Sequence, residues 1–539
     1  MTTTCTNTGN ENPEVPAPGG ETRRVHLWAA SAILLSSLLL RVFLASQGGQ
    51  NYFWDEDRYA VGVQLYRAIG AGDYDTIAEI AAKPTHPFFF WICAGTAAVH
   101  HLIVQFTPYG DWSNPQNILR TMWVGAALLS CFSTLNLLLL YLLAKALGAS
   151  NSEACWAMFL MAASNTGFYY SRHFLPYDAG VTAALLGALV TVGRPTVFAA
   201  GACGALCGAT FNVYNGYWYL VPILWSRYVF PAVPIIRRVH LLAVCGAATF
   251  VVAAMPLMLA WSLGGSAYLH ELRSFAGSAT MGLFREGWTL PWEYFWWSEQ
   301  GFGVTVVLSI FVAWLGAIKC GEPVPPRVKV IGCTLLAAYM VLVLFSTGLR
   351  IFVVYARTVK PFVPLFCLLG GWAMHELSGS VRRLHPLMIG LVGFFAALNF
   401  WPHFVRSFPF ETETAVLRGW GTPKRALTFS GTFFAFSRIP VTRPDLALVN
   451  ARELYPIRSY VGYPAGRTVF RVDHPLSYRP FQYECHTPRE RQALRDHDIS
   501  IRLIKLSDPA GSPDEPPLRS LYQLSERPTG YEGHPTRAP

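Results

Sequence analysis

The stretch His86–Phe106, HPFFFWICAGTAAVHHLIVQF, decides the fold, because whether it crosses a membrane sets the side on which later segments lie. It is one of twelve apolar runs: 27–45, 86–106, 118–143, 154–170, 179–193, 196–211, 217–231, 240–263, 303–318, 328–347, 361–377 and 385–402. If all twelve cross, five groups of cations fall on the side opposite Arg23 and Arg24. These are Lys145, Arg194, Arg237 with Arg238, Lys319 with Arg327 and Lys329, and Arg382 with Arg383. If 86–106 does not cross, all five join the N-terminus on the cytoplasmic face, as the positive-inside rule asks. The run opens on His-Pro and carries His100 and His101 near its middle, which suits a helix lying at the outer interface. Eleven crossings are expected, with the N-terminus cytoplasmic and the C-terminal region extracytoplasmic.

Composition agrees with a membrane solvent. Of 539 residues 52% are hydrophobic and only 14% charged, against about 25% charged in soluble domains. The 17 Trp and 24 Tyr suit many membrane–water interfaces. A net charge of +10 would suggest nucleic acid in a soluble domain, but here Lys and Arg sit in small groups between apolar runs, a topology signal and not a nucleic-acid surface. The 11 Cys are scattered without a Cys-x-x-Cys pair, and after residue 402 only Cys485 remains, so that region cannot form an internal disulfide. Residues 1–22, rich in Thr, Asn, Pro and Gly, are expected to be disordered and cytoplasmic. The apolar span to Ala45 is long for a signal-peptide core and reads as an uncleaved first helix, cleavage near LASQGG being the alternative.

On this topology the outer face collects residues 46–117, 169–180, 211–217, 264–302 and 346–360. The unusual polar residues gather there. DEDRYA (55–60) follows the first helix, KPTHPFFFWI (83–92) comes some thirty residues later, YYSRHFLPYDA (169–179) follows the third crossing, and ARTVKPFVPLFCLLGGW (356–372) opens a late helix. In order and spacing these motifs resemble the GT-C glycosyltransferases that use a polyprenyl-phosphate sugar, in the branch of the protein O-mannosyltransferases and the lipid A aminoarabinose transferase. Thr85 stands where that branch has a proline.

The resemblance implies a multi-pass enzyme of the bacterial plasma (inner) membrane, with a GT-C-like catalytic domain over 23–402. It would move a hexosyl or pentosyl unit from a polyprenyl phosphate to an acceptor hydroxyl on a protein, glycolipid or wall polymer, inverting the anomeric centre. Asp55 is then the candidate base, and Glu56 supports it or holds a divalent cation. Without the resemblance, Asp55, Glu56 and Asp57 read equally as acids at a helix N-terminus. Arg58 could hold a carboxylate or phosphate and Tyr59 could stack on a sugar; a snorkelling Arg and an interfacial Tyr are the alternatives. Lys83 is a phosphate contact by resemblance. His86 is a hydrogen-bonding residue, or a metal ligand with His270. Asp178 is the second acid facing the cavity, or with Arg172 an ion pair fixing the loop. Arg350, Arg357 and Lys360, three outer cations against the inside bias, suit the carrier phosphate, with anionic headgroups as the alternative. Tyr214, Tyr217, Trp288, Trp292, Trp296 and Trp297 read as sugar-stacking walls or belt aromatics.

Beyond 402 the chain alternates β-rich runs, ALTFSGTFFAF, DLALVNARELY and RTVFRVD, with the capped amphipathic stretch TPRERQALRDHDISIRLIKL, and predicts a small extracytoplasmic α/β domain over 403–507. The Pro- and Gly-rich tail 508–539 predicts disorder. A transporter or flippase, or a non-catalytic subunit on the same fold, are the rival readings; the sequence carries no internal repeat of the transporter kind.

Overall fold

The computed structural model describes residues 20–46, 57–113, 115–193, 195–229, 234–263, 288–352, 354, 356–380 and 384–405, and three short strands beyond them. Seven helices among the described residues are long and apolar enough to cross a membrane: Arg24–Ser46, Pro87–Val104, Thr121–Ala146, Ile235–Ser262, Glu299–Cys320, Pro326–Gly348 and Leu384–Trp401. The chain is a mainly α, polytopic membrane protein. Within the described residues, the twelve apolar runs fall largely on helical segments. The helices are α1 (Gly20–Ser46), α2 (Asp57–Ala71), α3 (Tyr74–Ala81), α4 (Pro87–Val104), α5 (Pro115–Ala146), α6 (Asn151–Ala163), α7 (Asn165–Tyr169), α8 (Tyr177–Val192), α9 (Val197–Val213), α10 (Leu220–Val229), α11 (Ile235–Ser262), α12 (Leu290–Cys320), α13 (Pro326–Val343), α14 (Ala356–Val359), α15 (Phe362–Ser380) and α16 (Leu384–Val405).

Three expected boundaries move. Helix α1 begins at Gly20, inside the stretch expected to be disordered; α16 runs to Val405; and α12 takes in residues 290–302 of the expected outer loop. In α1 and α16 an apolar helix extends into its flank, since backbone hydrogen bonds continue until a cap or a breaker stops them; in α12 the added residues lie across a break at Gln300.

The window Thr121–Ala146 in α5 is 61% buried, against 22% for Arg24–Ser46, Ile235–Ser262, Glu299–Cys320 and Leu384–Trp401. Helix α5 is therefore the inner column, and the others turn apolar faces outward. Helix α6, with 13 residues, covers only part of a span of about 20 residues, and α7 continues the same apolar run. Helix α6 stops at Ser164, whose extended backbone (ψ 134°) breaks the helix and whose hydroxyl accepts the Gly167 N–H at 3.1 Å. The signal is the run Ser-Asn-Thr-Gly, since short polar side chains that bond local backbone compete with the helix ladder. A one-turn 3₁₀ segment, Tyr170–Arg172, leads from α7 toward α8. A second break interrupts α12 at Gln300 (φ 49°, ψ −132°).

Helix α4 is 18 residues long, about 27 Å, and its two mid-helix histidines have partners within the protein. His100 Nδ1 lies 2.7 Å from the Tyr59 hydroxyl and its Nε2 lies 2.9 Å from Thr121 Oγ1. His101 Nδ1 lies 2.9 Å from the Tyr66 hydroxyl and Nε2 lies 3.2 Å from the Gly110 carbonyl. These pairs dock α2 onto α4 and satisfy groups that would otherwise argue for an interfacial position. Helix α3 is capped by Asp73, whose carboxylate takes the Thr76 backbone N–H at 3.1 Å and hydroxyl at 2.7 Å. Those bonds to Thr76 hold the Asp73 carboxyl below its ordinary range.

In the C-terminal region Ala426–Thr428 (β1), Leu446–Val449 (β2) and Thr468–Arg471 (β3) pair in parallel in the order β1-β2-β3, Ala426 opposite Leu446 and Leu446 opposite Thr468. Each strand falls in one of the three β-rich runs. The amphipathic stretch 487–506 and the tail 508–539 lie outside the described residues.

Candidate functional site

The first turn of α8 is the centre of the site. Pro176 supplies its N-cap and Asp178 lies within that first turn, where a carboxylate is favoured by the exposed N–H groups of the helix. Lys360, at the foot of α15, places its Nζ 2.9 Å from Asp178 Oδ1, with side-chain exposures of 3% and 9%. The ammonium also lies 4.6 Å from the centroid of the Tyr170 ring, a cation–π contact. Arg357 donates from Nη1 to the Tyr177 hydroxyl at 3.4 Å. Asn136 of α5 donates to the Asp178 carbonyl at 3.0 Å, while its own carbonyl accepts the Thr182 hydroxyl at 2.7 Å. The Tyr219 hydroxyl donates to the Thr358 carbonyl at 2.7 Å and ties down the turn carrying the two cations.

Beside this pair is a small cavity of about 10 Å³, lined by Phe89, Tyr170, Ser171, His173 and Asp178 among others. That is room for roughly one water, far below the roughly 300–1,000 Å³ of a ligand site.

Of the expected site residues, Asp55 and Glu56 lie outside the described residues, as does His270. Arg58 is half-buried in the first turn of α2, and Lys83 is half-buried in the turn between α3 and α4. Tyr59 is a correction. It is fully buried, its ring stacks on Phe174 with centroids 3.9 Å apart, and its hydroxyl bonds His100; a face covered by Phe174 is not offered to a sugar. His86 is buried, in left-handed backbone (φ 55°), a region costly for a residue with a Cβ. It is held there by Asn215, whose side-chain oxygen accepts the His86 N–H at 3.2 Å and whose N–H donates to His86 Nδ1 at 3.3 Å. No group of three metal-ligating side chains able to hold an ion occurs among the described residues.

Arg172 is buried at the end of the 3₁₀ turn, but the ion-pair partner found for Asp178 is Lys360. Lys360 thus has a carboxylate as its neighbour where a carrier phosphate was expected. Arg357 and Lys360 meet at residues 177–178, whereas Arg350 is exposed in left-handed backbone (φ 57°) and is not joined to them. Tyr214 and Tyr217 pack among themselves and against Tyr177, so they are walls of the bundle. Trp288, Trp292 and Trp296 are half or more exposed, as belt aromatics would be.

Two buried charges were not singled out from sequence. Arg41 of α1, 1% exposed, donates from Nε to Ser133 Oγ at 3.0 Å and from Nη2 to the Gly167 carbonyl at 3.2 Å. Glu299 of α12, also 1% exposed, accepts the Asn165 N–H at 2.7 Å and the Thr166 N–H at 2.9 Å. Together they bind the broken backbone at 165–167, which apolar surroundings tolerate only when its polar groups are satisfied internally. Arg41 is the one charged residue in the run 27–45, and a lone charge inside an apolar span is a signal that could have found it. Glu299 falls four residues before the run 303–318, so no such contrast marked it.

No family model matches the chain, and no curated protein matches it.

Proposed function

We propose that the protein is a GT-C-type glycosyltransferase that moves a sugar from a polyprenyl phosphate to an acceptor hydroxyl at the extracytoplasmic face. One observation supports this reading: four motifs far apart in sequence are joined by side-chain contacts, and two of them line one small cavity. Tyr59 of DEDRYA stacks on Phe174 of YYSRHFLPYDA, Phe89 of KPTHPFFFWI lines the cavity with Tyr170 and Asp178, and Lys360 of ARTVKPF pairs with Asp178.

In the proposed reaction the acceptor oxygen attacks the anomeric carbon on the face opposite the phosphate. The carbon–oxygen bond to the phosphate breaks, polyprenyl phosphate leaves with the electron pair, and Asp55 takes the acceptor proton. Arg357, with Lys83 and Arg172, supplies positive charge for the departing phosphate. Asp178 fixes Lys360 and the turn carrying Arg357, and so acts as a positioning residue. The accompanying topology has eleven crossings, a cytoplasmic N-terminus and an α/β domain over 403–507. Parallel strands support that domain, because they need crossover connections, usually helical.

The breaks at Ser164 and Gln300 favour a second reading, a transporter of lipid-linked sugar, since interrupted helices build the binding sites of many transporters. One assay separates the two. Protein reconstituted in liposomes with a polyprenyl-phosphate sugar should release polyprenyl phosphate when an acceptor fraction is added. Movement of the intact donor between leaflets without its consumption would refute the enzyme reading.

A further inference from the structure

Fifteen residues separate Lys360 from His375, roughly 20 Å along the helix axis, and at that other end of the bundle several helix ends meet. They are the start of α1, the end of α5, the start of α6, the end of α15 and the start of α16. They gather four basic side chains. The His26 backbone carbonyl accepts the Cys155 thiol of α6 at 3.5 Å, and the side chain lies within electrostatic reach of His375, His385 and Lys145. His375 Nε2 lies 3.3 Å from the hydroxyl of Ser150, the N-cap of α6. The His385 ring packs edge-on against Trp156 at 5.3 Å, and Lys145 Nζ donates to the Ala149 carbonyl at 2.7 Å. All four are half-buried, so each keeps a face toward solvent or lipid.

Of the acids nearby, Glu153 is neutralised by a cation outside the cluster. Glu153 is committed to Arg327 through two hydrogen bonds of 3.0 and 2.8 Å, and Glu376, beside His375, accepts the Trp372 indole N–H at 3.1 Å. Arg24 adds a further cation at the start of α1. Basic groups held together in a partly desolvated place favour an anion among them. A metal is a poor fit, since no three ligating side chains among the described residues come close enough. A phosphate is larger, and its oxygens can reach donors roughly 8 Å apart through two hydrogen bonds of ordinary length.

We propose that His26, Lys145, His375 and His385 form a binding site for the phosphate of an anionic phospholipid headgroup. Imidazole N–H groups donate to phosphate oxygens in either protonation state, and Lys145 supplies a full charge. The lipid is the source because the cluster sits at the ends of membrane-length helices, at the level of the headgroups. Val25 and Leu27, on either side of His26, are 61% and 50% exposed, an apolar surface for acyl chains, and Trp28, 76% exposed, is an interface anchor. The site is independent of the sugar-transfer reading.

The test uses the full-length protein in zwitterionic detergent–lipid micelles, titrated with phosphatidylglycerol or phosphatidylcholine and read by native mass spectrometry. Phosphatidylglycerol should bind at least tenfold more tightly than phosphatidylcholine. The triple variant Lys145→Gln, His375→Gln, His385→Gln should lose that preference, whereas Lys145→Arg should keep it. Equal binding of the two lipids, or an undiminished preference in a triple variant with the parent's size-exclusion profile, would overturn the proposal. Displacement of phosphatidylglycerol by millimolar inorganic phosphate would do the same, by making free phosphate the occupant.

Discussion

Lys360 and Asp178 meet at 2.9 Å where neither side chain has much water: their exposures are 3% and 9%. The pair joins the foot of α15 to the first turn of α8. Removing one partner leaves a buried charge uncompensated, a loss of about 3–5 kcal/mol in comparable pairs. Arg41 also acts electrostatically on Asp178, so Lys360→Met should cost about 3 kcal/mol, at the low end of that range. The double variant Lys360→Met, Asp178→Asn should recover much of the loss, because no lone charge remains. Reversible denaturation in detergent measures both. Losses that merely add would mean that the pair contributes nothing through its coupling.

The Tyr59 hydroxyl is a partner for buried His100. Tyr59→Phe keeps the ring on Phe174 but strips that bond, so stability should fall by about 1–3 kcal/mol, the cost of an orphaned buried polar group. Because the ring faces Phe174 and not substrate, KM for the sugar donor should stay at the parent value. A raised KM with unchanged stability would return Tyr59 to the sugar.

Helices α9 and α11 touch through glycine. A Cβ built on Gly204 would lie 2.2 Å from the Cys245 backbone carbonyl oxygen, whereas one on Gly201 would meet only Val244 Cγ1, at 3.7 Å. Backbone cannot rotate away, so Gly204→Ala must push the helices apart and should cost about 1–3 kcal/mol. Gly201→Ala fills open space and gains helix propensity, so it should be neutral or stabilising by up to about 1 kcal/mol. Thermal unfolding of the two variants side by side checks the contrast.

The helices were legible because each apolar run is a local signal, and capping or breaking residues mark most ends. The site was legible only in part. YYSRHFLPYDA and ARTVKPF stand out as polar residues between apolar runs, but nothing local says that Lys360 will face Asp178 and not a phosphate. That pairing depends on how α8 and α15 pack, a long-range fact. Tyr59 misled for the same reason: an aromatic beside acids reads as exposed until Phe174 and His100 are seen to cover it. His100 and His101 argued for an interface as lone polar groups, and lose that force once Tyr59, Tyr66 and Thr121 bond them.

That change leaves α4 to be tested directly. With 18 residues it is long enough to cross, while the charge pattern asks that it does not. Reporter fusions after Lys145 and Arg383 should read cytoplasmic, and fusions after Tyr109 and Leu448 extracytoplasmic. A cytoplasmic Tyr109 would mean that α4 crosses, and the topology drawn from the cations would fail.

Asp55 and Asp178 are the two acids that the resemblance marks, and the ion pair separates their roles. The Asp178 carboxylate is engaged by the Lys360 ammonium at 2.9 Å, which suits a positioning role. In the proposed reaction the base is Asp55. Asp55→Asn keeps the shape and most hydrogen bonds of the side chain but cannot accept the proton, so sugar transfer should slow by about a hundred- to ten-thousandfold. Donor binding should survive, because the proposed phosphate contacts are other residues. Asp178→Asn should instead lower stability together with activity, and its residual activity should recover in the Lys360→Met background as the stranded charge disappears. If Asp55 only caps α2, asparagine caps as well and the change should cost a few tenths of a kcal/mol at most, with the rate intact. Single-turnover transfer rates of the two Asn variants, with donor affinity measured alongside, decide between a base and a cap.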